Sequence, residues 1–90
     1  MEALLEMRLA ERHRPTGRTR HFKDGHPLPP PVSLRIGRDG VSDGVYLLYL
    51  DADDEEQTDT WHQSIDDAQH QAHLEFGVDP SDWRPPPGSH

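Results

Sequence analysis

The chain predicts a small α+β domain: a three-stranded antiparallel β-meander followed by one amphipathic helix packed on one face, spanning residues 32–84. Three observations lead there. VYLLYLD, residues 45–51, is a nearly continuous β-prone apolar run and reads as a central strand. Alternating or β-rich stretches flank it, separated by turn-forming clusters. Residues 64–77 then carry a helix start, an apolar stripe at helical spacing and a glycine stop.

The elements follow in order. Residues 1–14, MEALLEMRLAERHR, hold strong helix formers with no glycine or proline. Met1, Leu4, Leu5 and Leu9 fall near helical spacing, with Met7 off the stripe, so a short docking helix or a disordered extension is expected. Pro15 and Gly17 end it. Residues 15–31 read as a stiff spacer, four of the last five being proline. Residues 1–31 are thus an N-terminal arm and Pro-rich linker. Val32, Leu34 and Ile36 alternate with Ser33 and Arg35, the mark of a half-buried strand. GRDGVSDG, residues 37–44, is a turn, and ADDEEQ, residues 52–57, is an acidic one. TDTWHQ, residues 58–63, returns as the third strand.

Ser64 stands three residues before Asp67, close to a capping box, and Asp66 and Asp67 suit the positive end of a helix dipole. Ile65, Ala68, Ala72 and Phe76 form one stripe, and Gly77 supplies the C-terminal stop. Val78 and Trp83, flanking an Asp79-Pro80 turn, are expected to fold back over the helix end. The core is therefore expected from Val32, Leu34, Ile36, the residue 45–50 run, Ile65, Ala68, Ala72, Phe76 and Trp83. Residues 85–90 read as a disordered tail.

Composition limits the function classes. The chain has 90 residues, 31% hydrophobic and 29% charged, so its core is thin and a partner or self-association would help it. Cysteine is absent, which removes disulfides and thiolate metal sites. No apolar run is long enough to span a bilayer, and no secretion signal is read, so a cytoplasmic location is expected. Eight arginines to one lysine, with frequent aspartate, alanine and proline, suggest a GC-rich bacterial genome. Residues 1–23 carry a net charge of +3 and residues 24–90 one of −11. Such a body repels nucleic acid and favours basic partners.

No catalytic set is found. No GxGxxG follows a strand, no GxSxG elbow exists, and no carboxylate sits in an apolar setting that would tune it for proton transfer. An enzyme is not expected, nor a cofactor. Asp66, His70 and His73 fall on one helical flank, with His62 as a further donor, and form the alternative: a divalent-metal site. A solvated polar flank explains the same spacing. The acidic turn lacks the mid-loop glycine and twelfth-position glutamate of a calcium loop. Its Asp53, Asp54, Glu55 and Glu56, with Trp61 and the off-stripe Leu74, are the candidate partner-binding residues. Core packing is the plainer expectation for Trp61.

Thr58-Asp59-Thr60-Trp61-His62, Ser64-Ile65-Asp66-Asp67-Ala68, Ala72, Glu75-Phe76-Gly77 and Trp83 resemble a signature of small uncharacterised bacterial proteins, a family that brings no activity with it. The order of strands and a helix opening on Ser-Ile-Asp-Asp-Ala is also similar to HicB-like antitoxin domains. That resemblance implies neutralisation of a small RNase toxin by surface contact. Asp67 stands where those domains carry glutamate, and no DNA-binding segment follows Trp83, so DNA-linked autoregulation is not expected. The reading is a small acidic protein-interaction module, of antitoxin or immunity type, that meets a basic partner protein. Homodimerisation through an open edge or face of the sheet is a further expectation.

Overall fold

The computed structural model describes residues 1–13, 22–23, 25–27 and 29–87, and what the sequence suggested for residues 14–21, 24, 28 and 88–90 lies outside them. Strand β1 spans Glu2–Arg8, β2 Phe22–Lys23, β3 His26–Pro27, β4 Ser33–Arg38, β5 Val45–Leu50 and β6 Glu56–His62; helix α1 spans Ile65–Phe76, and a 3-10 turn spans Pro80–Asp82. The main sheet is antiparallel with four strands in the order β1-β4-β5-β6. One helix lies against one of its faces, so the α+β class holds, with one strand more than expected.

The extra strand corrects the reading of the N-terminus. The segment expected as a helix or a disordered extension is an extended strand, paired antiparallel with β4 from Glu2↔Arg38 to Arg8↔Ser33. The physical reason is tertiary. A lone peptide of this length gains little from its own helical bonds, whereas the edge of β4 offers a full ladder and an apolar face. Leu5 opposes Ile36 and Met7 opposes Leu34. Met7, the residue off the helical stripe, is the most deeply buried of the segment at 6% exposure. An irregularity between Ala3 and Leu5 lets Leu4 step out of the alternation. The linker is not featureless either: β2 and β3 form a two-stranded ladder turning at Gly25, whose φ is +78°.

The helix forms as the sequence dictates. The Ser64 hydroxyl accepts from the Asp67 amide at 3.1 Å. Gly77 takes the left-handed conformation, φ 72°, and its amide donates to the His73 carbonyl at 2.8 Å. Ala68 and Ala72 are fully buried, so the helix approaches the sheet closely. The core comprises Met7, Leu34, Ile36, Val45, Leu47, Tyr49, Ala68, Ala72, Phe76, Val78 and Trp83. Of those expected in it, Ile65 packs at its margin, Val32 and Tyr46 are half-buried outside it, and Leu48 and Leu50 are buried on the other side of the sheet. Each apolar side chain fully withdrawn from water contributes about 1.5–3 kcal/mol.

The C-terminal segment closes the molecule. Arg84 pairs in both directions with the backbone of Glu6, at 2.8 and 2.9 Å, on the side of β1 away from β4. Asp82 ties this end to the turn after β1. It accepts from Arg12 and from the Asp79 amide, and lies 2.9 Å from the Nε2 of His13. His13 is buried, and its Nδ1 accepts from the Ala10 amide at 2.9 Å, so the Nε2 proton points at the carboxylate. These bonds hold the Asp82 carboxyl below its ordinary value of 3.8. Pro85 and Pro87, in the stretch expected as a disordered tail, are placed beside Arg84 along the sheet. Among the described residues no helix is long and apolar enough to cross a membrane.

Candidate protein-interaction surface

Strand alternation sorts the sheet into two faces. Leu34, Ile36, Val45, Leu47 and Tyr49 face α1 and belong to the core. Arg35, Tyr46, Leu48, Leu50, Asp59 and Trp61 occupy the intervening positions. The register sets Arg35, Leu48 and Asp59 in one row and Gly37, Tyr46 and Trp61 in another. Leu48 and Leu50 lie on this second face, outside the core cluster, and are themselves buried, so its open part is the end where Tyr46 is half-buried and Asp59 and Trp61 are exposed. That outer face is the one α1 does not cover.

Trp61 is its most prominent residue. It is 48% exposed and lies directly opposite Tyr46. The core role expected for it is not what the fold provides, because Thr60 and His62 take the inward positions of β6. The indole is nevertheless held in place. A Cβ built on Gly44 would come within 2.4 Å of Trp61 Cζ2 and 2.5 Å of its Cε2. Only glycine lets the ring lie on the backbone there. Tyr46 is anchored in turn by Asp39, which accepts its hydroxyl and the amides of Val41 and Ser42, the amides both at 2.9 Å. These bonds hold the Asp39 carboxyl below its ordinary value. The result is an aromatic pair seated on Gly44 beside Asp39, with the indole half in water.

Next to it lies a carboxyl pair. The pairing of β5 with β6 shifts between Tyr49 and Leu50, and this brings the carboxyl of Glu56 close to that of Asp59. The Asp59 carboxyl, with some burial, pushes that of Glu56 above its ordinary range. Among the described residues no cation forms an ion pair with either. The other half of the face differs. Arg35 bonds Glu6 at 3.3 Å and Asp54 at 2.9 Å, beside a depression of about 410 Å³ lined also by Arg8, Leu50, Arg84 and Pro85.

The expected partner-binding set therefore splits. Asp54 is spent on Arg35 and sits at a positive φ of 64°. Asp51, not singled out, organises the turn by accepting the amides of Asp53 at 2.8 Å and Glu55 at 3.0 Å. Asp53, Glu55 and Glu56 are exposed. All three lie toward the end of β6 away from Trp61, and Glu56 meets the Trp61 surface only through Asp59. Leu74 is half-buried on α1 and so lies across the sheet from Trp61; the two make no common patch.

The alternative metal set fares differently. Asp66, His70 and His73 do share one flank, around a depression of about 400 Å³ with Gln69, Asp79 and Pro80. His73 Nδ1 is 4.0 Å from Asp79 Oδ1. Yet among the described residues no three His, Asp or Glu side chains are placed to hold a metal ion. His62, the further donor, points into the sheet–helix junction with Nε2 2.7 Å from the Thr60 hydroxyl, and burial pushes its pKa down.

Sequence reasoning missed Gly44, Tyr46 and Asp59. The alternation Tyr46/Leu48 against Leu47/Tyr49 was present in the β5 run, but uniform hydrophobicity hid it. It also missed the buried Glu75, 2% exposed, which accepts the Tyr49 hydroxyl under the helix. Burial and this bond raise the Tyr49 pKa far above the ordinary tyrosine value. The pair is a strut between α1 and β5. No family model, curated protein or solved structure matches this chain.

Proposed function

We propose that the chain is a non-enzymatic protein-interaction module that binds a basic partner protein through the outer face of its sheet, in the manner of an antitoxin- or immunity-type inhibitor. One observation carries this reading: a half-exposed tryptophan, packed on Gly44 beside Tyr46, stands two residues from Asp59, whose carboxyl lies near that of Glu56, on the face that α1 does not cover. Apolar area with a rigid aromatic centre and a charged margin is the usual anatomy of a binding hot spot. The net charge of −8 supports steering toward a basic surface.

The acidic half and the aromatic half act together. A guanidinium stacks on indole and pairs with carboxylate at once, which a lysine ammonium does less well. The test is affinity capture from native lysate at low salt with crosslinking, using wild-type chain beside Trp61→Ala. A basic protein retained by the wild type and lost by the variant is the expected result. Recovery of no partner, or equal recovery by both, overturns the reading.

A further inference from the structure

The two edges of the sheet are unlike. The outer edge of β1 is occupied at Glu6 by the two backbone bonds to Arg84, and the residues that follow are prolines, which have no amide to donate. The outer edge of β6 ends the strand order. It runs for seven residues, Glu56–His62, without proline, and no described residue pairs with it. Thr58, Thr60 and Trp61 suit an extended backbone. Such an edge is a template for an added strand.

Charge decides which strand fits. A second copy pairing antiparallel and symmetrically along the whole of β6 would set Asp59, the middle residue of Glu56–His62, against its own counterpart. Like charges directly opposite one another oppose pairing. A basic strand meets the reverse situation. Asp59 and Trp61 are two residues apart and both face outward, the period of side chains along a strand. Cationic side chains two apart on an added strand would reach both. The neighbouring carboxyls of Glu56 and Asp59, with no described cation between them, offer two acceptors to a single guanidinium.

We infer that β6 receives an extended segment of the partner carrying Arg-x-Arg, one arginine lying on the Trp61 indole and the other between Glu56 and Asp59. This rests on the basic-partner reading above and names the mode of contact. The probe is a seven-residue capped peptide alternating threonine and arginine, with its threonine–glutamate counterpart as control. It is followed by amide chemical shifts and hydrogen exchange on the full chain, and by sedimentation of the chain alone.

A monomeric chain, saturable binding of the arginine peptide only, and slowed exchange at alternate β6 amides are expected. Trp61→Ala and, separately, Glu56→Gln with Asp59→Asn should each weaken binding by about tenfold or more while amide dispersion is kept. Binding without slowed exchange in β6 overturns strand addition and leaves the basic-partner reading standing. No binding at millimolar peptide and low salt, with a basic protein still captured by wild type and lost by Trp61→Ala, does the same. A chain already dimeric through β6 also overturns the inference. No peptide binding together with no captured partner removes both.

Discussion

The two faces of the sheet are built from the same strands and differ in almost every physical respect. The face under α1 is dry. Leu34, Ile36 and Leu47 have no exposed surface, and the buried Glu75 that α1 brings to it accepts the Tyr49 hydroxyl. The outer face mixes Leu48 and Leu50 with Arg35, Asp59, Tyr46 and a half-exposed Trp61. The contrast teaches that this small chain spends its best packing on one side only. On the other side Leu48 and Leu50 are also buried, and it is the end around Trp61 and Asp59 that meets water.

Substitutions on the two faces should therefore separate stability from binding. Phe76→Ala removes a ring that seals the helix onto Tyr49, whose centroid is 6.4 Å away. It is expected to cost about 3–5 kcal/mol, a large share of what a domain this small has. Trp61→Ala should cost only about 1–2 kcal/mol while abolishing partner capture. Urea midpoints at constant m measure both, and equal losses would dissolve the distinction.

Met7→Ala tests whether β1 belongs to the covered face. A loss of about 2–3 kcal/mol in the same urea titration is expected, since the side chain is buried opposite Leu34. An effect within error would return the N-terminus to the status of an arm. Gly44→Ala probes the outer face. The new methyl would come within 2.3 Å of the His62 carbonyl oxygen as well as striking the indole. A cost of about 1–3 kcal/mol is expected, with a changed near-ultraviolet signal from the displaced tryptophan.

The smallest effects lie in pH dependence, and they run in opposite directions. Asp82 is held below its ordinary pKa, chiefly by Arg12. It lends stability above pH about 4, and this is lost as pH falls through the folded-state value. Glu56 is raised, chiefly by Asp59. Its folded state binds the proton more tightly, so it favours folding in acid, and that contribution disappears as pH rises through the folded pKa. Thermal melts from pH 3 to 8 should show Asp82→Asn lowering Tm above about pH 4, with the gap to wild type closing in acid. Glu56→Gln should raise Tm slightly toward neutral pH and not in acid. Parallel curves for either variant contradict its assignment.

Much of the covered face was legible in the chain. Ser64, Ala68, Ala72, Phe76 and Gly77 announce cap, stripe and stop within a single helix, where every signal is local. The β4 alternation and the β5 run were as plain. The outer face was not, because its features depend on register: Tyr46 meets Trp61, and Gly44 yields to the indole, only once β5 and β6 are aligned. The N-terminus was misread for a related reason. Leu4, Leu5 and Leu9 satisfy a helical stripe, while Leu5, Met7 and Leu9 satisfy an alternating one, and the residues themselves do not choose.

By itself the sequence determined the capped helix, its glycine stop, the three later strands and the absence of thiol chemistry, since each follows from bonds and sterics among near neighbours. Tertiary structure decided that residues 2–8 extend the sheet, that Trp61 faces water, and that Glu56 reaches Asp59. Those outcomes follow from which strand lies beside which, and a partner strand far along the chain offers hydrogen bonds and apolar area that no local pattern contains.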